Sequence, residues 1–368
     1  MKIYDNIYDK IINNKKKKDA GNVTSISPPF SRLAKKYPGW VKGTYTILTA
    51  SSGIGKTKAA KFFTVTSVYE FIKKNPQVKV KVFYFALEET KEMFWLSMMS
   101  TLLYINHNIT VSPQQLLSLG QFTVDDKILE AIKTTKLEID DMEKYIEVID
   151  HIFNPYGIYK SVRAYFDDTN LGSFEEIKTD KGILKGKFKY KDEDTYVFVV
   201  TDQVNLLVPD KNSEFGEPQK NLWDAISYYS KEYCLKQMCK RLDCVVINIQ
   251  QQAADKEKQE FYRGESIDKK LEPSLDGLAD NKLTQRDADI VWGLFAPTRY
   301  EIEEYRGYNI DILKDNYRCL IWLKDRHYGL ANQYVHLYFD GASNTFKELP
   351  PSKDMKLEIY NNITNKNF

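Results

Sequence analysis

The stretch Tyr45–Phe63, YTILTASSGIGKTKAAKFF, is the part of this chain that most constrains its fold. An apolar, β-prone start is followed by small residues, then by GIGKT at residues 53–57, and then by an Ala- and Lys-rich segment that predicts a helix. This order of strand, glycine-rich loop and helix fits the phosphate-binding loop pattern, although Ala50 stands where glycine is more common. The alternative is an ordinary glycine-rich turn between a strand and a helix.

The residue types of this loop suit the chemistry of a nucleotide phosphate. Glycine lets backbone N–H groups turn toward a phosphate without an intervening side chain, and the start of the helix adds the positive end of its dipole. The Lys56 ammonium supplies a full charge to the β- and γ-phosphates, and the Thr57 hydroxyl can bind Mg²⁺. We therefore expect ATP and Mg²⁺ as ligands, and the residues assigned to nucleotide binding are Ser52, Gly53, Ile54, Gly55, Lys56, Thr57 and Lys58.

The composition of the 368-residue chain leaves its macromolecular partner open. The 53 Lys and Arg residues nearly cancel the 51 Asp and Glu residues, so any basic site must be local. No apolar run is long enough to span a bilayer, and the N-terminus is too charged for a signal peptide. We therefore expect no membrane contact and a cytoplasmic location, or the host cytoplasm for a viral protein. The cysteines form no CxxC pair, which argues against structural zinc.

Alternating β-prone and helical segments predict an α/β fold: a mostly parallel sheet with helices on both faces and antiparallel edge strands. The apolar stripe within residues 1–18 predicts a short helix, packed either on its own domain or on a neighbouring subunit. Residues 19–43 carry the Pro and Gly content of a linker, residues 44–349 form the nucleotide-binding domain, and residues 350–368 are expected to be a loose tail.

Three segments inside this domain carry further predictions. Residues 112–150 show helical patterns with acidic faces. Residues 167–195 alternate charged and apolar side chains around an Asp-Lys-Gly turn, which predicts an inserted β-hairpin. Residues 253–285 carry many charges and few apolar side chains, which indicates a long surface loop.

Polar side chains follow several of the predicted strands, where sheets of this class bind ligands. Glu88 follows VFYFA, Asp202 follows YVFVVT, Gln251 follows VVINI, and Lys324 and Arg326 follow CLIWL. Each has a place in nucleotide hydrolysis, although each could also be an ordinary polar residue at a strand end. Asp202 can hold the Mg²⁺ shell, Glu88 can orient and deprotonate the attacking water, Gln251 can sense the γ-phosphate, and Arg326 can neutralise charge on the transferred phosphoryl group.

The order of these motifs resembles the RecA-like motor domain of DnaB-type replicative helicases, including the helicase half of phage primase-helicases. The matching segments are DAGNVTSISPPFSRLAKK, ASSGIGKT, FYFALEET, VFVVTDQVNLL, VVINIQQQ, QRDADIVWGLF and LIWLKDRHYG. The resemblance implies a RecA-like P-loop NTPase fold, with Glu88 as the catalytic glutamate, Asp202 linked to Mg²⁺ and Gln251 as the sensor. It also implies that Lys324 and Arg326 reach into the nucleotide site of the neighbouring subunit.

The same resemblance implies a homo-hexameric ring that hydrolyses ATP, moves along single-stranded DNA and unwinds duplex DNA in replication. A primase or loader protein is the further partner that it suggests, and it favours packing of the N-terminal helix on a neighbour. The candidates for DNA contact are Asn281, Lys282, Lys269 and Lys270, with Lys256, Lys258 and Arg263 in the same charged region.

Two observations keep an alternative function open. GLADNKLTQ stands where the family has an Arg-containing DNA-facing loop, and Lys282 is the only cation in this stretch. The charged region could equally be a solvated loop, since Asp and Glu are interspersed. The alternative is a RecA-like ATPase without unwinding activity: a recombination mediator, a loader, an anchoring subunit, or a clock- or signalling-type ATPase.

Overall fold

The computed structural model describes residues 3–21, 23–179, 182–211, 218–253, 261–262, 265–266 and 271–364. The strands in these ranges are β1 Tyr45–Ala50, β2 Lys79–Ala86, β3 Ile146–Ile149, β4 Gly172–Thr179, β5 Gly182–Tyr190, β6 Thr195–Asp202, β7 Val245–Gln251, β8 Phe261–Tyr262, β9 Glu265–Ser266, β10 Ile290–Phe295, β11 Glu304–Tyr305, β12 Tyr308–Asn309, β13 Tyr317–Asp325, β14 Tyr334–Asp340 and β15 Thr345–Glu348.

Helices flank these strands. They are α1 Ile3–Asp19, α2 Ser31–Ala34, α3 Lys56–Lys61, α4 Ser67–Lys74, α5 Lys91–His107, α6 Pro113–Leu116, α7 Asp126–Tyr145, α8 Pro155–Tyr165, α9 Leu222–Tyr228, α10 Thr284–Asp287, α11 Ile310–Leu313 and α12 Leu357–Thr364. A π-helical turn, Phe62–Thr66, joins α3 to α4, and a longer π-helical segment, Tyr229–Arg241, continues α9. Among the described helices, none combines the length and the apolar character needed to cross a membrane.

One sheet organises the molecule, with the strand order β15-β14-β13-β10-β1-β7-β6-β2-β3. The six strands from β10 to β3 run parallel, whereas β13, β14 and β15 are antiparallel additions at one side. This arrangement confirms the predicted mostly parallel sheet with antiparallel edge strands. In register, Ala50 lies opposite Gln251, and Ala86 lies opposite Asp202, so the ends of these strands meet at one edge of the sheet.

Two apolar layers cover the two faces of the sheet. Successive β1 side chains alternate between them, with Tyr45 and Ile47 in one layer and Leu48 and Ala50 in the other. A strand covered on both faces needs apolar residues throughout, which is why the central strands are continuous apolar runs in the sequence.

Residues 23–43, which were expected to be a linker, pack on the domain. Ile26 and Trp40 form a two-way backbone bridge, with N···O distances of 3.1 and 2.8 Å. The buried apolar side chains of this segment join one of the two core layers; they are Ile26, Phe30, Leu33, Tyr37 and Trp40. The Pro and Gly content that suggested a linker therefore bends a segment whose aromatic side chains anchor it.

The end of residues 112–150 is also corrected. Residues 146–149, expected to be helical, form β3, which pairs in parallel with β2 from Val82 to Phe85. Its sequence, IEVI, is β-branched at three positions, and such residues favour a strand where a partner strand is available.

The expected loose tail and surface loop are corrected in part. Within the tail, α12 buries Tyr360 and Ile363 against a third apolar cluster, so the described part of the tail is packed on the domain. Within residues 271–285, Leu271, Leu278 and Thr284 are buried, so this part is not a surface loop. Residues 254–260, 263–264, 267–270 and 365–368 lie outside the described ranges.

The predicted hairpin is confirmed as the antiparallel pair β4–β5. Its side chain Phe174 packs edge-on against Phe188 and lies below the guanidinium groups of Arg163 and Arg241, at 4.4 and 5.4 Å from the ring centroid. The hairpin is therefore attached to α8 and to the π-helical segment by cation–π contacts.

Candidate nucleotide-binding and hydrolysis site

The glycine-rich loop connects β1 to α3 at the carboxyl edge of the parallel strands. Gly53 and Gly55 have φ angles of +76° and +101°, in the left-handed region that favours glycine. A Cβ atom on Gly55 would lie 3.2 Å from the ring of Phe339, so a side chain there would crowd β14. The buried Lys56 ammonium donates to the Ser51 carbonyl oxygen at 3.2 Å, which holds its charge inside the loop.

Two arginines that the sequence analysis missed hold this loop from outside. The Arg318 Nε atom donates to the carbonyl oxygen of Ile54 at 2.8 Å, and its guanidinium lies 4.8 Å from the Phe339 ring centroid. Burial lowers the pKa of Arg318. The Arg299 guanidinium donates to the Ser52 carbonyl oxygen. Both arginines come from distant parts of the chain, and neither carries a local sequence signal.

The Lys58 side chain is engaged elsewhere. Its ammonium donates to the Gly341 carbonyl oxygen at 2.5 Å, and burial lowers the pKa of Lys58. Its place in nucleotide binding, as predicted, would therefore come from its backbone at the start of α3.

Oxygen atoms from three separate elements meet beside the loop. The Thr57 hydroxyl at the start of α3 lies 3.2 Å from the Asp202 Oδ1 atom at the end of β6. It also lies 3.3 Å from the Glu88 Oε2 atom, which follows β2. Asp202 is 1% exposed, whereas Glu88 faces solvent. The fold thus brings together the metal-binding and catalytic candidates of the sequence analysis.

The environment of Asp202 is electrostatically demanding. Burial raises the pKa of its carboxyl group to about 6; a hydrogen bond from the Tyr84 hydroxyl, at 2.8 Å, opposes this shift, and the nearby Glu89 carboxylate adds to it. Next to this group, the buried Lys61 ammonium forms an ion pair with Glu89 at 2.6 Å. Glu89 directly follows Glu88, so the pair fixes the chain beside the candidate base.

Three consecutive glutamines end β7, and they have different surroundings. The Gln250 amide donates to the carbonyl oxygens of Ala279 and Asn281, and the Gln252 amide donates to Thr49 and Ser274. Both side chains are buried and serve the structure.

Gln251 is the member of the three whose side chain lies toward the candidate site. Its amide oxygen accepts from Gln203, the residue after Asp202, at 3.2 Å. The choice of Gln251 as the sensor candidate agrees with this arrangement, and its role stays a prediction.

Lys324 and Arg326 do not lie at the carboxyl edge, and this expectation is corrected. They end β13, which runs antiparallel to β10, with Asp325 opposite Ile290; Ile290 is in turn opposite Thr46, near the start of β1. The carboxyl end of an antiparallel strand falls at the opposite edge of the sheet.

The two cations are occupied within their own chain. The Lys324 ammonium donates to the carbonyl oxygens of Gln285 and Ala288, and burial lowers its pKa. The Arg326 guanidinium donates to the Arg286 carbonyl oxygen and lies 3.4 Å from the Asp289 carboxylate.

A model of the DnaB-like helicase C-terminal domain matches residues 25–348, which is most of the chain. This chain belongs to the DnaB-like helicase C-terminal domain family. It is accordingly a helicase motor domain and an ATPase. No curated protein sequence matches it.

Two solved structures with the same fold support this assignment. The first, a helicase-like ATPase domain solved on its own, is 19% identical, with a TM-score of 0.65, and the match covers 94% of this chain and 99% of that chain. The second, a DnaB-like replicative helicase solved in a study of its interactions with primase, is also 19% identical, with a TM-score of 0.63; the match covers 92% of this chain and 68% of that chain. These likenesses confirm the predicted RecA-like α/β fold.

The DNA-contact candidates of this DnaB-like domain have different outcomes. Asn281 is buried, and its amide donates to the Trp223 carbonyl oxygen at 3.0 Å, so a contact from this side chain to DNA does not fit the structure. Lys282 is exposed. Lys269 and Lys270, together with Lys256, Lys258 and Arg263, lie outside the described side chains.

The donor set of the DnaB-like site fits Mg²⁺. Thr57 and Asp202 supply a hydroxyl and a carboxylate oxygen, the hard ligands that this ion prefers. In the described part of the chain, no three His, Cys, Asp or Glu side chains form a metal cluster. Mg²⁺ in nucleotide sites needs only one or two carboxylates, because phosphates and water complete its shell.

Proposed function

We propose that this chain hydrolyses ATP with Mg²⁺ at sites between its copies, and that it uses this hydrolysis to move along single-stranded DNA and unwind duplex DNA in replication. One observation carries the proposal. Thr57, Glu88 and Asp202 meet beside the phosphate loop, whereas Lys324 and Arg326 lie at the opposite edge of the same sheet.

The residues of the carboxyl edge have complementary roles. Lys56 and the loop N–H groups bind the β- and γ-phosphates, while Thr57 and Asp202 would hold Mg²⁺. When bound, Mg²⁺ neutralises phosphate charge. Glu88 is exposed beside them and accepts a proton from the attacking water, and Gln251 donates a hydrogen bond to the γ-phosphate.

The Arg326 cation is too far from this site to act within one copy. The strand β1 separates the two edges, and its length from Thr46 to Ala50 is about 13 Å at 3.3 Å per residue. The guanidinium would therefore stabilise transition-state charge on the nucleotide of a neighbouring copy, as would the Lys324 ammonium. A closed ring of identical copies gives every site this arrangement, and we propose a homo-hexamer.

The N-terminal helix supports assembly. On α1, the side chains Ile3, Ile7 and Ile11 are 78%, 54% and 59% exposed, although they form one apolar stripe at helical spacing. An isolated helix of this length is marginal in water without a partner surface. We propose that a neighbouring copy covers this stripe.

The remaining partners follow from the same function. Lys282 on the described surface, with Lys269 and Lys270, would contact the DNA backbone. A primase or loader protein would be the further partner, since one relative of this fold was solved in a study of its interactions with primase. The cytoplasm, or the host cytoplasm for a viral protein, is the proposed location.

The deciding experiment measures steady-state ATP hydrolysis with and without single-stranded DNA, with Lys56→Ala as the inactive control. We expect DNA to stimulate hydrolysis severalfold, and we expect added salt to weaken this stimulation because phosphate contacts are electrostatic. Hydrolysis that is lost in Lys56→Ala but indifferent to DNA would instead favour a RecA-like ATPase without unwinding activity. The buried Asn281 and the lone cation Lys282 of the stretch GLADNKLTQ are the observations on that side.

A further inference from the structure

The Tyr84 side chain makes a contact that the roles assigned above do not use. It lies on β2, it is fully buried, and its hydroxyl donates to the Asp202 Oδ2 atom at 2.8 Å. The other carboxylate oxygen, Oδ1, lies 3.2 Å from the Thr57 hydroxyl. The two oxygens of Asp202 therefore have different partners, one in the core and one in the nucleotide site.

The Tyr84 ring has little freedom to move. It packs on the Phe94 ring at a centroid distance of 4.8 Å, and the Lys61 ammonium lies 5.1 Å from the centroid of that Phe94 ring. In the parallel pair of β2 and β6, Tyr84 lies opposite Val200, two residues before Asp202. A rigid ring in this register directs its hydroxyl at the carboxylate.

We propose that Tyr84 is a positioning residue that holds the Asp202 carboxylate so that Oδ1 faces Thr57 and the metal side of the site. The proposal rests on the proposed function, because it assumes that Thr57 and Asp202 bind Mg²⁺ with the nucleotide. The terminal torsion of an aspartate has a broad, twofold preference, so a carboxylate without this hydrogen bond can rotate. Tyr84 removes that freedom before the nucleotide binds, and such preorganisation strengthens a metal site.

The test is Tyr84→Phe, which keeps the ring and removes only the hydroxyl. A hydrogen bond to a charged group is among the stronger ones in proteins, so we expect about a tenfold rise in the Mg²⁺ concentration needed for half-maximal binding of a fluorescent ATP analogue. We also expect kcat to fall by about tenfold at subsaturating Mg²⁺, and nucleotide binding without Mg²⁺ to stay as in the unmodified chain. A purely structural role would lower the melting temperature without changing the Mg²⁺ dependence.

Tyr229→Phe is the matched control. The Tyr229 hydroxyl is also buried, and it lies 2.6 Å from the hydroxyl of Thr201, the residue before Asp202, so its hydrogen bond is to that hydroxyl rather than to the carboxylate. This variant should keep the Mg²⁺ dependence of the unmodified chain. An unchanged Mg²⁺ dependence in Tyr84→Phe, or an equal change in Tyr229→Phe, would overturn the proposal.

The binding measurement also separates the two levels of the argument. If the unmodified chain binds the analogue with Mg²⁺ but neither DNA nor time produces hydrolysis, the proposed function fails while the Tyr84 test still gives an answer. If Mg²⁺ does not affect nucleotide binding in the unmodified chain, the assigned metal site fails, and the positioning role fails with it.

Discussion

The two edges of the parallel sheet differ in what they leave available for chemistry. At the carboxyl edge, Thr57 lies within hydrogen-bond reach of both Glu88 and Asp202, and burial of Asp202 raises its pKa. At the amino edge, Lys324 and Arg326 donate to carbonyl groups of their own chain. One edge carries acceptors and a phosphate loop, and the other carries cations, so the chemistry of hydrolysis is divided within a single copy.

The strand β13 shows how the fold divides it. Because β13 is antiparallel to β10, its first residues lie at the carboxyl edge and its last residues at the amino edge. Arg318, near its start, is buried and supports the Ile54 carbonyl of the phosphate loop, whereas Arg326 follows its end and has a side chain that is 40% exposed. A half-exposed ion pair is worth little, so Arg326 can exchange Asp289 for a stronger anion at small cost. The difference indicates that Arg318 holds its own loop and that Arg326 serves another copy.

The sharpest way to break this comparison is Arg326→Ala. We expect hydrolysis to fall by about 10³-fold, because arginines that neutralise transferred phosphoryl groups have effects of this size, while nucleotide binding stays within a few fold. Mixing the variant with Lys56→Ala should restore part of the activity, because some sites then combine an intact carboxyl edge with an intact amino edge. Mixed rings of verified composition that stay inactive would contradict an action between copies.

Removing residues 1–18 tests the assembly on which the comparison depends. We expect the truncated chain to be monomeric by light scattering and its hydrolysis to fall by about a hundredfold, since each nucleotide would lose the cation from its neighbour. Ile7→Asp, on the exposed stripe, should have the same effect without shortening the chain. Lys10→Ala, on the same helix, is the control and should leave the oligomer intact. A truncated chain that stays hexameric would show that α1 does not join the copies.

The contrast between the edges also explains which features could be predicted from sequence. The phosphate loop, Glu88, Asp202 and Gln251 follow apolar strands within a few residues, so local pattern was enough to find them. The direction of β13 has no local signature, because an antiparallel strand has the same apolar pattern as a parallel one, and the edge of Lys324 and Arg326 was therefore misplaced.

The residues that support the site were missed for a related physical reason. Arg318 and Tyr84 act on atoms more than a hundred residues away in sequence, at Ile54 and Asp202. Similarly, β3 and the packed segments 23–43 and 357–364 depend on partners elsewhere in the fold, and tertiary contacts override their local preferences. Sequence pattern predicted the elements and the direct site residues, while the contacts that orient them required the structure.

The smallest of these effects concerns pH at the carboxyl edge. Because burial raises the pKa of Asp202 to about 6, this carboxyl group is mostly protonated at pH 5 and mostly ionised at pH 7. A protonated carboxyl group is a poor Mg²⁺ ligand. We expect Mg²⁺-dependent nucleotide affinity to fall by about tenfold from pH 7 to pH 5, relative to binding without Mg²⁺. Binding that keeps the same Mg²⁺ dependence at both values would show that Asp202 is not the group that holds the ion.

The same group makes an opposite prediction for the stability of the nucleotide-free protein. Between the ordinary value of 3.8 and about 6, the folded chain retains a proton on Asp202 that the unfolded chain has released. The contribution of Asp202 to the free energy of unfolding is therefore largest below pH 3.8 and falls as the pH rises through 6, by about 3 kcal/mol in total. Asp202→Asn cannot ionise, so it should unfold at a higher denaturant concentration than the unmodified chain at pH 8, and this difference should shrink at pH 5. The variant should also lose hydrolysis. A carboxylate that weakens the empty protein but is needed for turnover indicates that the carboxyl edge is built for a bound cation, whereas the amino-edge cations already have partners without a ligand.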